Sequence, residues 1–163
     1  KHFIAATNTN KVVPNFMETG TYLPKKSVAT ISNAMDVGDP SNFVRILEMQ
    51  QHSLDQLKKG FSSYSFSDAQ TKEAMKEISK KYAYTADPHG AVGYLGLESY
   101  QKEHKNTYGV FLETAHPVKF LEVVEETLGQ TLTIPQKIVE VLSKQKKATK
   151  INDYQGLKAF LLS

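Results

Sequence analysis

The 163-residue sequence predicts an α/β fold, rich in helix, with an incomplete and mostly parallel sheet. Three observations carry that prediction. Two short runs, 3–7 and 109–113, are apolar on both faces, as strands with helices above and below them are. Each leads through a polar turn into a segment of helical spacing, the opening half of an α/β crossover. Helical segments far outnumber these two strands, so the sheet lacks neighbours. Either a third strand hides in 61–66 or 27–31, or the rest of the sheet lies on sequence outside this stretch.

The elements follow in order. Phe3-Ile4-Ala5-Ala6-Thr7 is closed by the turn formers Asn8-Thr9-Asn10. Asn10 is placed to cap a helix from Lys11, with Val12, Val13, Phe16 and Met17 as its apolar stripe, Pro14 in the first turn and Gly20 as the stop. Residues 21–38 have no clean period. Asp39-Pro40 predicts a helix start, with Phe43, Ile46, Leu47, Leu54 and Leu57 at helical spacing, Gly60 as its end and a break near 50–53. Ser67 and Gln70 match a capping box before Ala74, Met75 and Ile78. Asp87-Pro88 opens a helix with Gly90, Gly93 and Gly96 on one side. Glycine costs a helix about 1 kcal/mol relative to alanine, so three together call for a close neighbour, either packed backbone or a ligand. His116-Pro117 starts another helix, with Phe120, Leu121, Val124 and Leu128 inward and Gly129 as its stop. Pro135 opens a segment with Ile138, Val141 and Leu142 inward. Asn152 or Asp153 caps a last one, with Leu157, Phe160 and Leu161 packed.

Composition narrows the function classes. Hydrophobic residues make up 40% of the chain, enough for a real core. The net charge of +3 is too small to argue for a nucleic-acid partner. The sequence has no cysteine, which excludes disulfides, thiolate nucleophiles and Cys-ligated metal centres and fits a cytoplasmic setting. No apolar run approaches the ~20 residues of a bilayer span, so no membrane partner is expected. The chain enters an apolar run at once and without an initiator Met, which suggests a cut just before a strand.

Candidate chemistry gathers where strands end, because ligands of open α/β sheets bind beyond the carboxyl ends of the strands. Asn8, Thr9 and Asn10 follow the first run; Thr114 and His116 follow the second. Capping is the plainer role for Asn10 and His116. No H-x-x-x-H or H-E-x-x-H spacing occurs, so no metal site is expected. There is no G-x-S-x-G, no G-x-G-x-x-G after a strand and no G-K-[ST] loop. The lysines at 144, 146, 147 and 150 look like a solvated face.

Several stretches in the same order resemble one family. They are Phe3 to Asn10 with Val13-Pro14-Asn15-Phe16, Ala29 to Val37 with Pro40-Ser41-Asn42-Phe43, Tyr84 to Tyr94, and Thr114-Ala115-His116-Pro117-Val118-Lys119-Phe120. Together they resemble the C-terminal part of the threonine synthase family, pyridoxal 5'-phosphate (PLP) enzymes of fold type II with the tryptophan-synthase-β-like fold. The resemblance runs over residues 1–163 and implies a C-terminal fragment of the catalytic region.

The implied reaction converts O-phospho-L-homoserine and water to L-threonine and phosphate, a carbon–oxygen lyase chemistry acting on phosphate. The resemblance puts Thr114 at the pyridine nitrogen of the cofactor, Asn8 and Asn10 at the cleft rim, and His116 at its helix start, orienting the Thr114 loop. It puts Ser32, Asn33 and Asp36 in a motif of the substrate region. Lys119 falls on the outward side of its helix, and the Phe-Lys-Asp that holds the family's Schiff-base lysine is absent. So is the family's phosphate-cradling loop. The resemblance therefore implies that both lie upstream, that the missing N-terminal half of the chain is the main partner, and that this stretch alone is inactive and prone to self-association. Two other readings stay open: another PLP-dependent lyase or dehydratase of the same fold, and a non-catalytic, stand-alone interaction module.

Overall fold

The computed structural model describes residues 1–163, which form two compact units, Lys1–Leu132 and Thr133–Ser163. The first unit is built around a two-stranded parallel sheet. β1 (Phe3–Thr7) pairs in register with β2 (Phe61–Ser65), Phe3 opposite Phe61 and Thr7 opposite Ser65. Between them lie α1 (Val12–Thr19), a 3-10 turn (Asn33–Met35), α2 (Phe43–Met49) and α3 (Leu54–Gly60). After β2 come α4 (Asp68–Tyr82), α5 (Pro88–Glu103), a 3-10 turn (Pro117–Phe120) and α6 (Leu121–Leu128).

Alternation along β1 sends successive side chains to opposite faces. Ala5 and Phe61 pack into a cluster of Val13, Phe16, Met17, Phe43 and Leu57 from α1, α2 and α3. Ile4 and Ala6 face α5, where the space beside Gly96 is filled by the Ala6 methyl, 2.7 Å from where a Cβ on Gly96 would sit. Beyond α5 a second cluster joins Ala74, Met75 and Ile78 of α4 to Ala91 and to Val124 of α6. The sheet is thus covered on both faces, as its apolar first strand requires.

The second strand differs from expectation. Residues 109–113 are not a strand but an irregular segment lying along α5. They have the apolar character of a strand and no strand beside them to pair with, so Tyr108, Val110 and Leu112 remain exposed. The strand that does form is β2, Phe-Ser-Ser-Tyr-Ser, in the 61–66 stretch named as one alternative. Its serines suit a sheet because their hydroxyls are used there: Ser63 Oγ donates to the Ala5 carbonyl at 2.9 Å and Ser65 Oγ to the Asn8 carbonyl at 2.8 Å.

Local signals mostly read true. Ser67 and Gln70 form the full capping box of α4, and Asp87 caps α5 with Pro88 behind it. Gly20 and Gly129 close α1 and α6 in the left-handed conformation. The break near 50–53 is real, with Gln51 and His52 both at positive φ. Two starts are corrected. Asn10 does not cap α1, whose N-cap is Lys11 with no side-chain bond, because the Asn10 amide is engaged elsewhere. Asp39-Pro40 does not open α2, which begins at Phe43; Tyr22 takes the Asp39 carboxylate instead, its hydroxyl donating at 2.9 Å.

The second unit holds α7 (Gln136–Leu142) and α8 (Tyr154–Leu162), the latter capped by Asp153. Its apolar residues are not packed inward as their spacing predicts: Val141, Leu142, Phe160 and Leu161 are all more than half exposed. Helices of seven and nine residues present too little surface to enclose them. No helix of the chain is long and apolar enough to cross a membrane.

Candidate functional site

Two polar clusters flank the carboxyl end of the sheet. The first grows from the turn after β1. Asn8 is fully buried, and its Nδ2 donates to Thr30 Oγ1 (2.9 Å), Ser32 Oγ (3.0 Å) and Asp36 Oδ1 (2.9 Å). Its Oδ1 accepts from the backbone N–H and from Nδ2 of Asn10, each at 2.9 Å. Asn10 Nδ2 also donates to the Val28 carbonyl and to Asp36 Oδ1, while its own Oδ1 accepts the Val28 N–H. Asp36 completes the ring, taking the Thr30 hydroxyl on Oδ1 and the Thr30 N–H on Oδ2. Every side-chain polar atom here has a partner, which ties the irregular 28–36 stretch to the end of β1.

The second cluster stands at the start of α5. Asp87 is buried, and its Oδ1 accepts both the N–H and the Nδ1–H of His89 at 2.7 Å. That commitment of Nδ1 leaves Nε2 as the free ring nitrogen. The imidazole leans on the Phe120 ring, centroids 4.7 Å apart. Glu113 comes in from the 109–116 segment, its Oε1 accepting the Asp87 N–H. Unlike the first cluster, this one is not closed: Asp87 Oδ2, His89 Nε2 and Glu113 Oε2 are buried without a partner. Burial, reinforced by the Asp87 carboxyl, pushes Glu113 up to about 8. Burial also acts upward on Asp87, but hydrogen bonds from His89 and Glu113 outweigh it and hold that carboxyl below its ordinary value.

His89 and Thr114 line one cavity of about 740 Å³, with Ala6, Met35, Gly93 and Leu112 among its walls. Thr114 is exposed at this cavity. Of the residues singled out from sequence, Asn8, Asn10, Ser32 and Asp36 come together in the closed network, and none of the four lines the cavity. Asn33 is exposed on its 3-10 turn. His116 caps the Pro117–Phe120 turn, its Nδ1 accepting the Val118 N–H at 3.2 Å. Sequence reasoning missed the chemistry of Asp87, His89 and Glu113. Asp87 was legible as a cap; the signal for the rest was a histidine two residues past that cap, on a helix whose glycines admit close neighbours.

Those glycines have the close neighbours that their spacing called for. At Gly90 the Glu113 carboxyl fills the space a Cβ would take; Gly93 lies against Phe111 and Gly96 against β1.

Comparison with known proteins bears on what this cleft is for. Residues 90–161 match the family model described as threonine synthase, C-terminal. A threonine synthase of Escherichia coli strain K12 is 44% identical over 141 residues, 86% of this chain and 32% of that protein. The crystal structure of the Escherichia coli enzyme superimposes with a TM-score of 0.86 at 39% identity, over 99% of this chain and 37% of that one. A PLP-bound threonine synthase from Brucella melitensis shares the fold, with a TM-score of 0.80 at 23% identity over 98% of this chain and 39% of its own. The chain spans about a third of the length of these relatives. In sequence and in fold, it corresponds to the C-terminal part of the threonine synthase family.

Proposed function

We propose that this chain is the C-terminal part of a PLP-dependent threonine synthase, which as a whole protein converts O-phospho-L-homoserine and water to L-threonine and phosphate. The observation that carries the reading is the 44% identity to a threonine synthase across 86% of the chain. The cleft supports it. A cavity with apolar walls at Ala6, Gly93 and Leu112, an exposed threonine and an unpartnered buried imidazole nitrogen suits a flat heteroaromatic ring with polar edges.

When bound, PLP supplies an electron sink for charge that develops at the α and β carbons of the amino-acid substrate. The chain's own residues supply position. Thr114 would hold the ring nitrogen by donating its hydroxyl proton, and a neutral partner there would leave that nitrogen unprotonated. Leu112 and Gly93 would supply apolar wall beside the ring. The Asn8–Asp36 network, with buried Ser32 in it, fixes the turn that carries Met35 at the cavity wall. The lysine that bonds the cofactor and the loop that cradles its phosphate belong to the upstream part, so 1–163 is the C-terminal portion of one catalytic region. A cytoplasmic enzyme with a small-molecule substrate is the matching setting, and the upstream half is this portion's partner.

The test is turnover by the full-length protein. Phosphate release from O-phospho-L-homoserine with threonine formed supports the reading. Ammonia and a keto acid from serine or threonine, without phosphate release, would replace it with a dehydratase. The isolated 163-residue chain is expected to show neither activity, nor any PLP absorbance change that depends on one of its own lysines.

A further inference from the structure

Glu113 has no part in the chemistry above, yet it is the residue before Thr114 and its carboxyl is carefully housed. The carboxyl sits where a side chain on residue 90 would lie, so any residue but glycine there would evict it. Its Oε1 takes the Asp87 N–H, while Glu113 Oε2 and Asp87 Oδ2 are both buried without partners. Two acceptors cannot satisfy each other, but one proton between them satisfies both.

The proton belongs on Glu113. Asp87 already accepts two hydrogen bonds from His89, which favour its ionised form. Burial, reinforced by the Asp87 carboxyl, keeps Glu113 protonated up to about 8. Other titratable groups also face this seat. α5 contributes Asp87 and His89, and the connection from α4 contributes Tyr84. Burial raises the Tyr84 hydroxyl, and the Glu113 and Asp87 charges add to that. The Pro117–Phe120 turn brings the apolar Phe120 ring against His89.

The seat matters because residues 109–114 belong to no helix or strand. Their position rests on contacts along α5, with Gly109 against Leu97, Phe111 against Gly93 and Glu113 against Gly90.

We propose that Glu113 is a positioning residue for Thr114: a proton shared with Asp87 seats its carboxyl in the notch left by Gly90, and that seat fixes the backbone from which Thr114 reaches the cleft. The proposal rests on the reading of Thr114 as the ring-nitrogen partner. The sign follows from linkage. A carboxyl whose folded value is raised stabilises the seat most fully below its ordinary value of 4.5. That stabilisation is lost as pH rises toward about 8, where the buried pair becomes two facing carboxylates.

The experiment uses the full-length protein, with PLP as the probe, comparing wild type, Glu113→Gln and Thr114→Val at about pH 7 and about pH 9.5. Two readouts are taken: hydrogen exchange of 109–116, corrected for intrinsic rates, and PLP affinity. In wild type, protection of 109–116 falls about tenfold or more between the two pH values, and PLP affinity falls with it. Glu113→Gln carries a neutral amide that cannot ionise, so both quantities stay near their neutral-pH values in the alkaline arm. Equal loss of protection in wild type and Glu113→Gln, or no loss in wild type, would overturn the proposal. Protection that follows the proton while Thr114→Val leaves PLP affinity unchanged would keep the seat and remove the reading of Thr114.

Discussion

The two polar clusters at the end of the sheet differ in make-up, in pairing and in access to the cavity: amides and hydroxyls around one carboxylate in the first, two carboxyls and an imidazole in the second. Around Asn8, every buried amide, hydroxyl and carboxylate oxygen is paired, and none of Asn8, Asn10, Ser32 and Asp36 reaches the cavity. Around Asp87, three buried polar atoms are unpaired, and His89 lines the cavity. A closed network uses up its hydrogen-bonding capacity in holding the chain together. An open one keeps capacity for something that arrives later. Buried polar groups are otherwise nearly always paired; a proton shared by Asp87 and Glu113 answers two of the three open atoms, and His89 Nε2, on the one residue of the three that lines the cavity, is the atom left for a ligand.

The largest expected effect breaks the closed side. Asn8→Ala removes the central amide, so Thr30 Oγ1, Ser32 Oγ and Asp36 Oδ1 each lose one partner and the Asn10 N–H loses its acceptor. Each buried group left unpaired costs about 1–3 kcal/mol, so 28–36 is expected to open by about 3 kcal/mol, read as faster hydrogen exchange over that stretch in the full-length protein. Unchanged exchange there would deny the network its structural role.

A middle-sized effect comes from the glycine stripe of α5. Gly96→Ala would put a Cβ 2.7 Å from the Ala6 methyl of β1, and overpacking of this kind costs about 1–3 kcal/mol. Gly93→Ala finds its nearest neighbour, Phe111, at 3.5 Å, and is expected to be neutral or to gain up to about 1 kcal/mol from helix propensity. Thermal unfolding of the two variants side by side checks the contrast; equal destabilisation would contradict it.

The smallest effect on stability, and the most specific one on function, belongs to Thr114→Val on the open side. The residue is exposed, so stability is expected to stay within about 0.5 kcal/mol. Loss of one hydrogen bond to the ring nitrogen is expected to weaken PLP about tenfold in a binding titration.

How much of this was legible in the sequence depends on the range of the interaction. Caps and stops are decided within four residues, and Ser67 with Gln70, Asp87 with Pro88, Gly20 and Gly129 all read correctly. Strands are decided by partners elsewhere. The 109–113 run had the composition of a strand and no neighbour, while the serine-rich 61–65 run had a neighbour in β1 and hydroxyls that could bond to its carbonyls. Asn10 looked like a cap because Asp36, its partner, lies 26 residues away. Thr114 was singled out because it follows the 109–113 run, which is not a strand, and its role at the ring nitrogen came only from family resemblance. Asp87 and Glu113 are likewise 26 residues apart, and nothing local joins them.

The central claim is that the open cleft between β1 and α5 receives the cofactor ring at Thr114. A crystal structure of the full-length protein with PLP tests it most directly. The account predicts Thr114 Oγ1 within about 3 Å of the pyridine nitrogen, a hydrogen-bond distance, with the ring lying against Gly93 and Leu112. A cofactor bound elsewhere, with Thr114 left to solvent, would contradict it.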